Sequence, residues 1–240
     1  MNAVAIDTSS RRRLVVVLAS SAGFLLDGAV EPGAPALPGL DRALRRLLGG
    51  GIGAVVVVTG PGSYTGLRAG MAAALGLAHA TGLPLHGIGS LEVAAASAPA
   101  GTGEILTLAD AGRGGIYAAR FRRGSEGLES LGAPERISVD TLLRPSGPGG
   151  TGAAARQALG GPERAGRPTP WPLVPAPIGV AASAVTSTAA RAGSVTLSLD
   201  SLGVAAVEVL DPALALAAAV PLALARPPLA LAGLTGTYLA

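Results

Sequence analysis

Gly60-Pro61-Gly62-Ser63-Tyr64-Thr65-Gly66-Leu67-Arg68-Ala69-Gly70 is the stretch on which the fold of this chain turns. Before it stands Ala54-Val55-Val56-Val57-Val58, a β-branched run of the kind found in strands buried on both faces. After it a helical pattern runs from about Leu67 to Ala80. Gly60, Gly62 and Gly66 permit tight turns and close backbone approach, while Ser63 and Thr65 can cap the helix or donate hydrogen bonds. A glycine-rich turn entering a helix can hold an anion, and a purely structural turn accounts for the same residues equally well. The Gly-Lys-Ser/Thr ending of a P-loop is absent, and Gly-Pro-Gly does not fit the dinucleotide fingerprint.

The helix is apolar almost all round. Gly66, Gly70, Ala74 and Ala78 form one row of small residues, with Ala69, Ala73, Leu77 and Ala80 alongside; Met71 and Leu75 supply larger knobs. Only Arg68 and His79 are charged or titratable. Such a helix must be covered on most faces. Either it is buried within its own domain, or its small row admits a helix from a partner subunit, a packing logic documented best in membranes.

Outward from this centre, Ala3–Asp7 and Leu14–Ala19 read as a hairpin turning through Thr8–Arg13, with a third strand at Gly23–Val30. Leu40, Leu44, Leu47 and Leu48 mark one face of a short helix stopped by Gly49-Gly50-Gly51. Leu83–Ile88 is a further strand, and Ser90 is the expected N-cap of a helix reaching about Ala98, with Glu92 in its first turn. Three strands followed by helix–strand alternation predict an α/β fold with a mixed sheet flanked by helices. Ile105–Ala109 and Gly115–Phe121 open a second lobe, so the boundary falls between 103 and 104; a short helix is expected at Ser138–Leu143. Pro145–Gly152 and Pro162–Pro177 are rich in Pro and Gly, and the Ala-rich remainder has little periodicity.

The chain has 240 residues, 49 % of them apolar but only 2 % aromatic, so Ala, Gly, Val and Leu carry the burial. All 18 basic residues are Arg; apart from Arg11-Arg12-Arg13 they are scattered, which argues against free-standing nucleic-acid binding. With no Cys, disulfide and thiolate chemistry are excluded. His79 and His86 lack a carboxylate cluster, so no metal site is expected. No apolar run reaches the roughly 20 residues of a spanning helix, and a cytoplasmic protein without membrane contact is expected.

The motif at Gly60–Gly70 closely resembles the GPGS(F/Y)TG(L/V)RxG signature of the TsaB (YeaZ) family. Ala5-Ile6-Asp7-Thr8-Ser9, Ser90-Leu91-Glu92 and Asp110-Ala111-Gly112-Arg113-Gly114-Gly115-Ile116-Tyr117 agree with further family segments in order and spacing. The resemblance covers about residues 3–145. It implies two lobes of the actin/Hsp70/sugar-kinase kind, a duplicated RNase H-like fold. It also implies a non-catalytic scaffold that pairs through helices of its first lobe with a catalytic TsaD-like paralogue, joined by a TsaE-like ATPase. That assembly transfers threonylcarbamoyl to adenosine 37 of ANN-decoding transfer RNAs, which this chain would meet only through the complex; alone, it could form a homodimer. The expected partner interface comprises Gly62, Ser63, Tyr64, Thr65, Gly66, Arg68, Gly70, Met71, Ala74, Leu75 and Ala78. Asp7, Thr8 and Ser9 would form a vestigial phosphate turn, with no catalytic residue and no cofactor in this chain; ATP and a divalent metal belong to the partner subunits. Pro32–Gly39 replaces the family's usual His-Ser pair, and Thr237-Tyr238-Leu239-Ala240 only partly matches its usual ending. Residues from about Pro168 onward do not resemble the family, so the part of the second lobe, 104–240, that lies beyond about 168 is expected to be diverged or disordered.

The rival reading is an ATP-dependent small-molecule kinase or ATPase of the same fold. It would use Asp7, Asp110 as a second carboxylate, and Gly147–Gly152 as a nucleotide loop.

Overall fold

A computed structural model of the chain describes residues 1–11, 13–32, 37–48, 51–98, 103–112, 115–124, 127–138, 179–182, 206–207 and 211–230. Two compact units emerge: Met1–Ser97 together with Val209–Ala240, and Ala98–Glu208.

The first unit is built on a five-stranded sheet. β1 (Asn2–Asp7), β2 (Arg13–Ser20) and β3 (Leu25–Pro32) form an antiparallel meander; β4 (Ile52–Gly60) and β5 (Leu85–Gly89) add in parallel on the other side of β1, giving the order β3-β2-β1-β4-β5. The register sets Ala5 opposite Val17 on one side and Val56 on the other. Because side chains alternate along a strand, Val4 and Ile6 face one layer and Ala3 and Ala5 the other; all four are fully buried. A central strand with no polar face is therefore covered twice.

The Val4/Ile6 face is covered by α1 (Leu37–Leu47) and α2 (Tyr64–Thr81). In α1, Leu40, Ala43 and Leu47 point inward, while Arg42 and Arg46 reach Glu31 and Asp27 on β3. The Arg46 guanidinium holds the Asp27 carboxyl below its ordinary value. α2 begins at Ser63 and stops at Gly82, whose φ of 69° a residue with a Cβ adopts at a cost. Its buried residues are Gly66, Leu67, Gly70, Met71, Ala74 and Ala78. Contact with β1 is close: a Cβ added to Gly70 would lie 2.1 Å from Thr8 Oγ1.

The Ala3/Ala5 face is covered by α3 (Ser90–Ala96) and α4 (Pro212–Leu224). α4 starts on Asp211, whose carboxylate accepts from Ala213 N at 2.8 Å. Ala213, Ala215, Ala217, Ala219, Val220 and Ala223 sink into the core. Gly28 leaves room for Ala213, and Gly23 for Pro221. Beyond α4 the chain turns back along β5. Leu229 N donates to Leu85 O at 2.7 Å, His86 Nδ1 donates to Arg226 O at 3.1 Å, and the Arg226 guanidinium grips both oxygens of Glu92 at 2.5 and 3.1 Å.

This corrects two expectations. Residues 211–230 belong to the first unit, not to a lobe running from 104 to 240, and they form an ordered helix with a docked extension rather than a diverged or disordered end. Their near-uniform Ala/Leu composition hides the helical period that would have revealed a buried face. Beyond about 168, positions other than 179–182, 206–207 and 211–230 lie outside the described residues.

The second unit repeats the first unit's topology. β6 (Gly103–Gly112) and β7 (Gly115–Gly124) pair antiparallel, and β8 (Gly127–Ser130) follows on β7; β10 (Gly179–Ala182) and β11 (Ala206–Val207) add in parallel beyond β6. The order β8-β7-β6-β10-β11 is that of β3-β2-β1-β4-β5. β9 (Glu135–Ser138) pairs with the first half of β7, so Ser138 closes a strand instead of opening a helix; 139–143 and the Gly147–Gly152 loop lie outside the described residues. The α/β class, with two RNase H-like units of the actin/Hsp70/sugar-kinase kind, is as the sequence implied.

Two consequences can be measured. Gly70→Ala forces a methyl against the buried Thr8 hydroxyl, and overpacking of this kind costs about 1–3 kcal/mol. Thermal melting should fall by several degrees, and a variant melting like wild type would show that the β1–α2 contact yields. At Glu92, burial pushes the carboxyl up, but hydrogen bonds from Arg226 and the Gly89 N–H together hold it below its ordinary 4.5. A carboxyl lowered in the folded state stabilises above its unfolded pKa and loses that contribution as pH falls through the folded value. The melting advantage of wild type over Glu92→Gln should therefore be full at neutral pH and shrink below about pH 4.5. A gap that is constant across that range would count against the ionised pair.

Candidate functional site

The carboxyl ends of β1, β4 and β5 meet at one edge of the first sheet, where parallel α/β sheets usually place their sites. Three turns converge there. After β1, Asp7 Oδ1 accepts from Ser9 N at 2.8 Å, folding Asp7-Thr8-Ser9 into a tight turn. After β4, Gly60–Ser63 crosses above it. Ser63 N donates to Ser9 O at 2.7 Å, and Gly62 lies so close that an added Cβ would meet Ser9 O at 2.6 Å. After β5, Ser90 Oγ donates to Pro61 O at 2.6 Å. Ser90 is thus not the N-cap expected of it. Gly89 holds that position, and the Glu92 carboxylate accepts its N–H at 2.7 Å. Ser63 does cap α2, its hydroxyl accepting from Gly66 N at 3.4 Å.

The turn at Asp7–Ser9 is therefore closed over. The Ser63 N–H at the start of α2 is spent on Ser9 O, and the Ser9 N–H is spent on one Asp7 oxygen. Thr8 is buried, and its hydroxyl has no hydrogen-bond partner among the described residues because it abuts the Gly70 Cα. Among the described residues no three His, Asp or Glu side chains come together as metal ligands. His79 is exposed on α2 and His86 is buried in β5. Nor is any described helix long and apolar enough to cross a membrane.

The expected interface residues divide. Gly66, Gly70, Met71, Ala74 and Ala78 are buried within the first unit, so the small row singled out in the sequence packs on the chain's own sheet. Gly62, Ser63 and Leu75 are half-buried. Tyr64, Thr65 and Arg68 are exposed. Arg68 lies over the Tyr64 ring, 5.3 Å from its centroid, and donates to the Tyr64 hydroxyl at 3.0 Å. One stacked cation–aromatic pair thus marks the first turn of α2.

The sequence reading missed a second small stripe on the opposite side of α2. Ala72, Gly76 and Ala80 are exposed beside half-buried Ala69 and Ala73. A Cβ at Gly76 would meet no atom within 4 Å. Two small rows on one helix look alike in sequence. The signal that could have separated them is Leu67 and Met71, whose larger side chains mark the face that fills the core. Also missed were Arg226 and its partners on Glu92 and His86, which join positions far apart in the chain.

A profile of the family TsaD: tRNA N6-adenosine threonylcarbamoyltransferase matches residues 49–233, more than half of the chain. An uncharacterized protein of Mycobacterium leprae (strain TN) is 37 % identical over 134 residues, 54 % of this chain and 33 % of that protein. The tRNA threonylcarbamoyladenosine biosynthesis protein TsaB of Bacillus subtilis (strain 168) is 34 % identical over 89 residues, 37 % of this chain and 39 % of that protein. The matched part spans between 33 % and 56 % of the length of the first curated relatives. The solved structure of YeaZ from Pseudomonas aeruginosa aligns over 99 % of both chains with a TM-score of 0.65 at 20 % identity, a likeness of fold. With its long Gly60–Gly70 motif, its duplicated sheet order and this match across more than half its length, the chain belongs to the TsaD family of tRNA N6-adenosine threonylcarbamoyltransferases and, within it, to the TsaB (YeaZ) group.

Proposed function

We propose that the chain is a non-catalytic scaffold subunit in the biosynthesis of threonylcarbamoyladenosine on transfer RNA, and that it acts by docking the outer face of α2 onto a TsaD-like catalytic subunit. The relatives from Bacillus subtilis and Escherichia coli are named for that pathway. On this reading the catalytic partner installs threonylcarbamoyl on adenosine 37 of ANN-decoding transfer RNAs, a TsaE-like ATPase joins the pair, and the chain works in the cytoplasm.

The observation that carries the reading is the exposed side of α2. An 18-residue helix keeps Ala72, Gly76 and Ala80 in the open and sets a stacked Tyr64–Arg68 pair at its start. Small residues let a second helix come close, and Tyr and Arg are among the side chains that anchor interfaces. The closed turn at Asp7–Ser9 supports the non-catalytic part of the reading, because the groups that would take a phosphate are engaged within the fold.

The two faces of α2 give the test. Ala74→Arg buries an unpaired charge in the core, a change worth about 3–5 kcal/mol, and should collapse the melt. Ala72→Arg places the same charge on the outer face. It should melt like wild type yet fail to retain a co-expressed TsaD-like subunit in a pull-down. A folded Ala72→Arg variant that still captures the subunit would remove this face from the interface. A separate assay addresses chemistry: the purified chain should not turn over ATP. Turnover that disappears in Asp7→Ala would replace the scaffold reading with the kinase-like one.

A further inference from the structure

We infer that Arg226, in the segment after α4, is a positioning residue for the first turn of α2. It acts through a relay of four contacts that ends at the proposed docking face. The relay starts where the Arg226 guanidinium holds both oxygens of Glu92, at 2.5 and 3.1 Å. The same carboxylate accepts the Gly89 N–H at 2.7 Å, so the ion pair fixes the junction between β5 and α3. The next residue, Ser90, donates its hydroxyl to Pro61 O at 2.6 Å and holds the Gly60–Ser63 turn from above. From below, Ser63 N is held by Ser9 O at 2.7 Å. The turn, clamped from both sides, delivers Ser63 as the cap of α2, and Tyr64 follows it directly.

Glycines leave the relay little slack. A Cβ at Gly89 would stand 2.8 Å from Glu92 Oε2 and 3.4 Å from Gly60 O; one at Gly62 would stand 2.6 Å from Ser9 O. The β5–α3 junction, the turn and the β1 loop are thus in mutual contact, and displacing one displaces the next. The Arg226 end is anchored independently of α2. His86 Nδ1 donates to Arg226 O, Leu229 N donates to Leu85 O, and the Leu229 side chain lies over Gly87, where an added Cβ would be 2.9 Å away. These contacts pin the segment along the edge strand and aim the guanidinium at Glu92. A surface ion pair of ordinary kind holds nothing else; this one shares its carboxylate with the backbone at a junction that supports the α2 cap.

The relay belongs to the fold of the unit, and its consequence for partner binding rests on the docking reading above. Hydrogen exchange on the full chain tests the relay with no partner present. The informative amides are Ser63, bonded to Ser9 O, Gly66, bonded to the Ser63 hydroxyl, and Leu67, bonded to Ser63 O. In Arg226→Gln their protection should fall by about two- to fivefold, the range a partly exposed ion pair supports, while β1 and β2 amides keep theirs. Arg226→Lys should recover part of the loss, and Glu92→Gln combined with Arg226→Gln should add little to either alone. Loss confined to Leu229 and the β5–α3 junction, with Ser63, Gly66 and Leu67 unchanged, overturns the inference. So does a uniform fall across the sheet, which marks general destabilisation. Capture of a TsaD-like subunit by wild type and Arg226→Gln then separates the two readings. If wild type captures nothing, the docking proposal fails while the exchange result stands.

Discussion

Thr8, at the end of β1, and Gly70 lie so close that no side chain fits at Gly70, and this contact sets the face that α2 turns to the first sheet. Gly70 faces the Thr8 turn, so Leu67, Ala74 and Ala78, one or two turns along, face the same way, and Met71 flanks them. Ala72, Gly76 and Ala80 are thereby turned outward. The Gly62–Ser9 contact does the same for the turn, bringing Ser63 N within reach of Ser9 O. Among the described residues the buried Thr8 hydroxyl has no partner, a cost of roughly 1–3 kcal/mol that goes with the close approach of the helix at Gly70.

That closeness is how a core nearly free of aromatic residues is filled. Ala and Val bury less surface per residue than rings, so their contribution must come from many residues and from short backbone separations. The Ala3/Ala5 face shows the principle plainly. Ala54 from β4 and Ala96 from α3 join five alanines of α4 in one cluster, with Val15, Val17, Val56 and Val58 between them. Gly28 and Gly23 on the sheet side make room for α4 as Gly70 makes α2 fit on the other face.

Sequence reading succeeded where the pattern is local. β1, β2, β4 and β5 are continuous or alternating apolar runs, and α1 carries a clean Leu stripe; each emerged near its expected place. The Gly60–Gly70 motif located the turn after β4 and the start of α2 because its turn chemistry is compact. Sequence reading failed where several solutions share one pattern. On α2 two small rows compete, and only the strand beneath chooses between them. At Ser90 a good capping residue sits one position past the cap, because Glu92 already serves Gly89 and the Ser90 hydroxyl is claimed by Pro61. In α4 the alanines carry no period to read, and the helix returns to a sheet whose strands lie more than a hundred residues earlier. Arg226 paired with Glu92 is likewise a contact that no local window contains.

On the scaffold reading proposed above, the closed edge of the first sheet takes on a role of its own. In the first unit, the edge at which β1, β4 and β5 end has the layout of a ligand site, yet two of its hydrogen-bond donors, the Ser63 amide and the Ser90 hydroxyl, are turned inward. A site that binds an anion must leave amides unspent until the ligand arrives. Here the Ser63 amide and the Ser90 hydroxyl instead join the three turns to one another, and the Asp7 carboxylate closes its own turn. Each bond that closes the edge also helps to fix where α2 starts, the helix whose outer face is left open. On the docking proposal, preorganisation of this kind lowers the entropy lost on association, which matters most for a surface of small residues with few anchoring side chains.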